Sequence, residues 1–173
     1  VGHDFGPQNT AAIFFAQNPT TGFLYAYREY LKGGLSSAQH AQNMIQLSEG
    51  ENIVRRTGGA ITNEDGYRDA YTAAGWPIIA PTLRGVLAEI DRVYGFFKTQ
   101  KLFIFDDLRE TIDDLETYSY KLDEKYLPIE EIEDKQSFHL MDAMRYGLQD
   151  MRPESTSSAE STPVGPITGS PAK

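Results

Sequence analysis

No cysteine occurs among the 173 residues. That excludes a disulfide framework and any thiolate-bound metal, and it is in keeping with a reducing compartment. No run of 18 apolar residues is present, so a membrane-spanning helix is not expected. A basic leader followed by an apolar stretch is not visible either, and with it the mark of a secretory signal. The sequence starts at Val1 rather than at methionine and inside a strand-like stretch, so it reads as a piece of a longer protein. Aromatic residues are missing from residues 152–173, which hold four of the nine prolines and many Ser and Thr. Such a segment cannot bury enough apolar surface to offset the entropy of ordering, and a disordered tail is expected there. Residues 1–151 remain, enough for one domain with its own core.

An excess of bases is also lacking. The net charge is −9, and residues 106–134 account for all of it, with twelve acids against three bases. Residues 1–105 and 135–173 are each neutral. A DNA-binding surface would usually show a basic footprint, so composition argues mildly against nucleic acid. It leaves room for an acid-lined metal site in an enzyme whose DNA affinity comes from another domain.

The patterning that is present predicts alternating strands and helices. "AAIFFAQ" and "FLYAYREYL", joined by Asn18, Pro19, Thr20, Thr21 and Gly22, read as a hairpin. Ser36 or Ser37 can cap a helix that ends at Gly50, and "NIVRRTGGA" reads as a short strand. "NEDGYRDAYTAAG" reads as a helix stopped by Gly75, and "WPIIAP" as a further strand. From Leu83 to Phe97 apolar residues recur at helical spacing behind a boundary at Pro81-Thr82. "KLFIF" is a buried-strand candidate, and Asp106-Asp107 would open the helix "DDLRETIDDLETY". Residues 118–136 read as a polar excursion, after which Ser137 would cap a closing helix. The order predicts an α/β fold with a central mixed sheet flanked by helices.

On a helical wheel Leu140, Met141, Met144, Leu148 and Met151 share one face of the closing helix. Asp142 lies opposite, beside Phe138, His139, Arg145, Tyr146 and Gln149. A lone aspartate there would ordinarily face water. A second face carrying Phe, His and Tyr predicts packing on both sides.

"GHDFG" at the start, "KLFIFDDLRETIDDLETYSY" and the final "HLMDAMRY" together resemble the C-terminal nuclease domain of the large terminase subunit of tailed bacteriophages, in the same order over residues 1 to 150. The last motif, His-x-x-Asp-Ala-x-Arg-Tyr, is its most specific part. The resemblance implies an RNase H-like fold and an endonuclease that cuts concatemeric DNA in the host cytoplasm. It implies two ions, Mg²⁺ or Mn²⁺, clamping the scissile phosphate. Its implied partners are double-stranded DNA, a separate N-terminal ATPase domain, the small terminase subunit and the portal, with no membrane. Asp4 then matches the first-strand metal ligand and Asp142 the acid of the closing helix. His139, one turn earlier, is a candidate to bind metal, orient a ligand or hydrogen-bond DNA.

The sequence departs from the family where "IVRRTGGAITNED" carries Gly58 and Gly59 in place of a middle acid. Glu64 and Asp65 are the nearest replacements, and Glu64 is favoured because some terminases with a "GGA" strand end place a glutamate there. Alternatively both acids only favour the start of the next helix. In that case a non-catalytic RNase H-like module binding DNA or packaging partners is the second reading, and an unrelated α/β domain the third.

Other features carry less. Asp4-Phe5-Gly6 also matches a kinase metal motif, but no Gly-rich loop or His-Arg-Asp loop accompanies it. Gly58-Gly59 lacks the Lys-Ser/Thr of a phosphate loop. His3 and His40 read as satisfied or exposed polar residues. Arg55, Arg56, Arg68 and Arg84 are candidates for phosphate contact or for solvated element ends. The acidic stretch 106–134 reads as solvated surface; a sharper reading has it repel DNA or dock on a basic partner domain.

Overall fold

The computed structural model describes residues 1–6, 9–60, 64–82 and 85–151. Strands β1 (Gly2–Asp4), β2 (Thr10–Gln17) and β3 (Leu24–Lys32) form an antiparallel meander. Strand β4 (Thr57–Gly58) lies parallel to β1, and β5 (Leu102–Ile104) parallel to β3, in the order β4-β1-β2-β3-β5. The β2–β3 turn is shaped by Asn18, whose Oδ1 accepts from the amides of Thr20 and Thr21 at 2.9 and 3.1 Å. Gly22 closes it at a positive φ of 71°, which costs glycine little.

Helices cover both faces of this sheet. Alternation along β2 sends Ala12 and Phe14 to one side, where helices α1 (Ser37–Leu47) and α2 (Asp65–Ala73) add Ala41, Met44 and Tyr71. Ala11 and Ile13 face the other side, with Phe96 of α3 (Val86–Lys98), then α4 (Arg109–Thr117), and Leu140, Met144 and Leu148 of α5 (His139–Leu148). In β3 the pairing of Phe14 with Arg28 and of Phe15 with Ala26 leaves Tyr27 as the extra residue of a bulge. Leu24 and Ala26 before it and Leu31 after it pack into the same cluster. Glu29 beyond the bulge reaches the start of α4, accepting from the Thr111 amide at 2.8 Å and its hydroxyl at 2.6 Å.

Several predicted elements take a different form. "WPIIAP" supplies only an isolated parallel bridge, Ile79 to Thr57, because most of its length is spent seating Trp76 and Ile78 in the core. "NIVRRTGGA" narrows to the two residues of β4. Helix α4 starts at Arg109, after Asp106-Asp107, and Glu29 serves its amides from across the sheet. Ser137 does not cap α5: it lies in a 3₁₀ turn, its hydroxyl bonded to Asp134 at 2.7 Å, and Phe138 holds the cap position without a side-chain bond. The 118–136 excursion contains a two-stranded hairpin, β6 (Tyr120–Leu122) with β7 (Pro128–Ile132), exposed except at half-buried Lys121 and buried Ile132. Ser36 does cap α1, in a capping box with Gln39. Leu83, Arg84 and the predicted tail of residues 152–173 lie outside the described residues. Among the described residues no helix is long and apolar enough to cross a membrane.

Candidate metal and active site

The two-residue period of β1 sorts its side chains. His3 and Phe5 point toward α2, where the Trp76 Nε1–H donates to His3 Nε2 at 3.1 Å and Phe5 stacks on Tyr71 with centroids 5.2 Å apart. Gly2 and Asp4 therefore face α5. A Cβ on Gly2 would stand 2.0 Å from the Ala143 carbonyl oxygen and 2.6 Å from the Gly147 nitrogen, so strand and helix cross nearly backbone to backbone. That crossing brings the first turn of α5 beside the carboxyl end of β1. Asp4 Oδ2 meets His139 Nδ1 at 2.8 Å, with Gly6 leaving room for the imidazole.

The glycine pair has a steric reason as well. A Cβ on Gly58 would lie 2.3 Å from the His3 carbonyl oxygen, so only glycine lets β4 pair so closely with β1. Gly59, at a φ of 75°, turns the chain and vacates space that the Glu64 carboxylate fills: a Cβ there would stand 2.6 Å from Glu64 Oε2. Glu64 is the residue before α2, and its carboxylate accepts the Ala60 amide instead of capping its own helix. Asp65, one residue on, points away, with its side chain 81% exposed and paired with Arg68. Arg68 itself is buried and clamps the loop through the carbonyls of Gly58 and Ala60 at 3.0 and 3.1 Å. It is therefore a structural residue rather than a phosphate contact. Arg55 pairs with Asp150, and Arg56 lies over the Trp76 ring at 4.0 Å.

Electrostatics link the acids. Burial raises the proton affinity of Glu64, and the charges of Asp4 and Asp142 raise it further, against the Ala60 amide and Arg68. Burial also raises Asp142, with Asp4 adding to the effect and Arg145 opposing it. The hydrogen bond that His139 donates to Asp4 raises His139 above its ordinary value, with Asp142 and Asp114 contributing and burial opposing. Crowded, half-buried carboxylates of this kind favour protons or cations. Among the described residues no group of three or more His, Asp or Glu is gathered to hold a metal ion. Each acid has its own partner instead: His139 engages Asp4, Arg145 engages Asp142 and the Ala60 amide engages Glu64. The donors themselves are oxygens, which suit hard divalent ions.

Three residues given no role in the sequence reading complete the surroundings. Arg145, 3% exposed at its side chain, bridges Asp142 and the equally buried Glu89 of α3. The signal for Glu89 is a charge at core spacing, four and seven residues before Val93 and Phe96. Asp114 of α4 is half-buried where α4 packs on α5; burial, Glu110 and Glu29 push its carboxyl up to about 6. Between its ordinary 3.8 and about 6 the folded chain binds this proton more tightly than the unfolded chain, so this group makes stability fall as pH rises through that window. Asp114→Asn keeps the side-chain shape and removes the charge. It should raise the unfolding temperature at neutral pH and leave it unchanged below about pH 4; equal shifts at both pH values in thermal melts would rule out the buried charge as the cause.

A mixed sheet of this order, with helices on both faces, defines an RNase H-like fold. Among solved structures the chain is similar to nuclease domains of phage large terminases. The nuclease domain of g2p, the large terminase of bacteriophage SPP1, with bound Mn, matches at a TM-score of 0.65 and 21% identity, over 85% of this chain and 82% of that one. The P22 large terminase nuclease domain matches at 0.68 and 17%, over 85% and 77%. A large terminase from a thermophilic bacteriophage, in complex with ATP-γ-S, matches at 0.71 and 19%, over 85% of this chain but 38% of its own. Neither the protein-family models nor the curated proteins give a match. The likeness is thus one of fold, in agreement with the resemblance drawn from the motifs.

Proposed function

We propose that this domain is the metal-dependent DNA endonuclease of a viral DNA-packaging large terminase, cutting concatemeric genomic DNA in the host cytoplasm. What supports the reading is that Asp4, at the end of β1 and bonded to His139 of α5, Glu64 before α2 and Asp142 of α5 act on one another electrostatically, Asp4 and Asp142 raising Glu64 and Asp4 raising Asp142. These three carboxylates would hold the ions, with Asp65 one residue from Glu64 as the alternative donor. Mg²⁺ or Mn²⁺, two ions on this reading, would supply an activated water and stabilisation of the leaving oxygen at the scissile phosphate. His139 orients Asp4 through Nδ1 and keeps its second ring nitrogen for a phosphate oxygen. Arg145 orients Asp142. The Mn bound to the SPP1 nuclease domain supports the choice of ion, and the larger terminase of the thermophilic phage, in complex with ATP-γ-S, supports an N-terminal ATPase domain as the partner in the same protein. Double-stranded DNA, the small terminase subunit and the portal are the remaining partners.

The acids are held apart from a closed three-ligand group, and this favours a second reading: a non-catalytic RNase H-like module that binds DNA or packaging partners. Incubating the chain with supercoiled plasmid separates the two. The enzyme should nick and linearise DNA in Mn²⁺ or Mg²⁺ and stop in EDTA, whereas the module should leave plasmid intact in every buffer.

A further inference from the structure

The pair Glu89–Arg145 is buried beside the site and joins it to the inner face of α3. Arg145 donates from one terminal nitrogen to Glu89 Oε2 and from the other to Asp142 Oδ1, with side-chain exposures of 3% for Arg145, 6% for Glu89 and 17% for Asp142. One guanidinium thus meets two carboxylates in a dry setting, leaving an anionic excess. Lys135 is the other cation whose charge reaches both acids. Burying such a group is unfavourable compared with an apolar pair of the same volume, so stability does not account for it. Arg145 lies one turn after Asp142 on the same helix. Alone it would neutralise that aspartate and compete with any cation for it. Glu89, reaching from a separate helix, holds the guanidinium from its opposite edge and offsets its charge.

We propose that Glu89 is a positioning residue acting through Arg145. It lets the guanidinium aim Asp142 by one carboxylate oxygen while the aspartate stays anionic toward a divalent ion. The inference rests on the reading of Asp142 as a metal ligand.

Calorimetric titration of the full chain with Mn²⁺ tests it. Glu89→Gln keeps shape and hydrogen bonding but frees the Arg145 charge to oppose the ion, and should weaken Mn²⁺ binding about tenfold, the usual scale for a group supporting a ligand. Adding Arg145→Gln to that variant should restore most of the affinity, a rescue that a merely structural role would not produce. Glu89→Gln that folds and binds Mn²⁺ as tightly as the parent overturns the proposal, and so does a double variant as weak as the single one. If Glu89→Gln does not fold by circular dichroism, Arg145→Gln and the double variant decide: equal affinities support action through Arg145, and unequal ones overturn it. A parent that binds no Mn²⁺, or an Asp142→Asn variant that binds it as the parent does, overturns the metal-site reading itself. Parent binding that is lost in Asp142→Asn but unchanged in Glu89→Gln overturns only the role of Glu89.

Discussion

Asp142→Asn should lower Mn²⁺-dependent plasmid cleavage by about a thousandfold while leaving the chain folded. The magnitude follows from losing a charged ligand, which forfeits several kcal/mol of transition-state stabilisation, with each ~1.4 kcal/mol worth a factor of ten. The fold should survive because Arg145 keeps Glu89 as its ion partner and asparagine has the same shape. Asp4→Asn should have an effect of the same size, since the Asp4 carboxylate faces the same corner and is already fixed by His139. Asp65→Asn is the contrasting variant. Its side chain points to solvent and serves only Arg68, so cleavage should change little. Time courses of nicking, with far-ultraviolet circular dichroism on each protein, are the measurement. Undiminished cutting by Asp4→Asn or Asp142→Asn would sink the assignment, and a large loss with Asp65→Asn would move the third ligand from Glu64 to Asp65.

Gly2→Ala should destabilise the domain by about 3 kcal/mol, the upper part of the range for overpacking a close contact, which at this size lowers the unfolding temperature by roughly 6–12 °C. The added methyl would meet the Ala143 carbonyl oxygen at 2.0 Å and the Gly147 nitrogen at 2.6 Å, both backbone atoms that cannot step aside without moving α5. Gly147→Ala meets the Phe15 ring at 2.7 Å and the Gly2 backbone at 3.1 Å, and should be milder because a ring can shift. Gly95→Ala in α3 has nothing within 4 Å, and the better helix propensity of alanine should stabilise slightly. Thermal melts of the three variants give the ranking. Because the same crossing sets Asp4 against the first turn of α5, Gly2→Ala should also weaken Mn²⁺ binding in whatever fraction remains folded. A Gly2→Ala protein as stable as the parent would show that the close approach of β1 and α5 is not what seats them.

Much of this was legible in the chain before its structure. The β2–β3 hairpin, α1 with its Ser36 cap and α3 are set by local chemistry: alternation, an Asn-Pro-Gly turn, a capping box and helical spacing. The two-sided packing of α5 was visible in its wheel, and the order of elements led to the mixed sheet. Local signals misled where partners come from far along the chain. Asp106-Asp107 look like the start of α4, but its free amides are met by Glu29, some 80 residues earlier, through a bulge that no local pattern announces. Ser137 misleads for a nearer reason: its hydroxyl is taken by Asp134 in a 3₁₀ turn, and Phe138 holds the cap position of α5.

The sequence by itself determined which residues carry charge and which glycines stand beside them: Asp4 within "GHDFG", Asp142 in the closing helix, Glu64 and Asp65 after the glycine pair. It favoured Glu64 of those last two only through the resemblance, because neighbours in sequence differ by orientation, and orientation is a matter of packing. Tertiary structure gives them different surroundings, as Glu64 turns into the space beside Gly59 and Asp65 faces outward beside Arg68. The same holds for Glu89 and Arg145, ordinary helix charges until α3 and α5 bury them together. Charge identity is written residue by residue, whereas burial and pairing arise only when elements distant in the chain exclude water from the space between them.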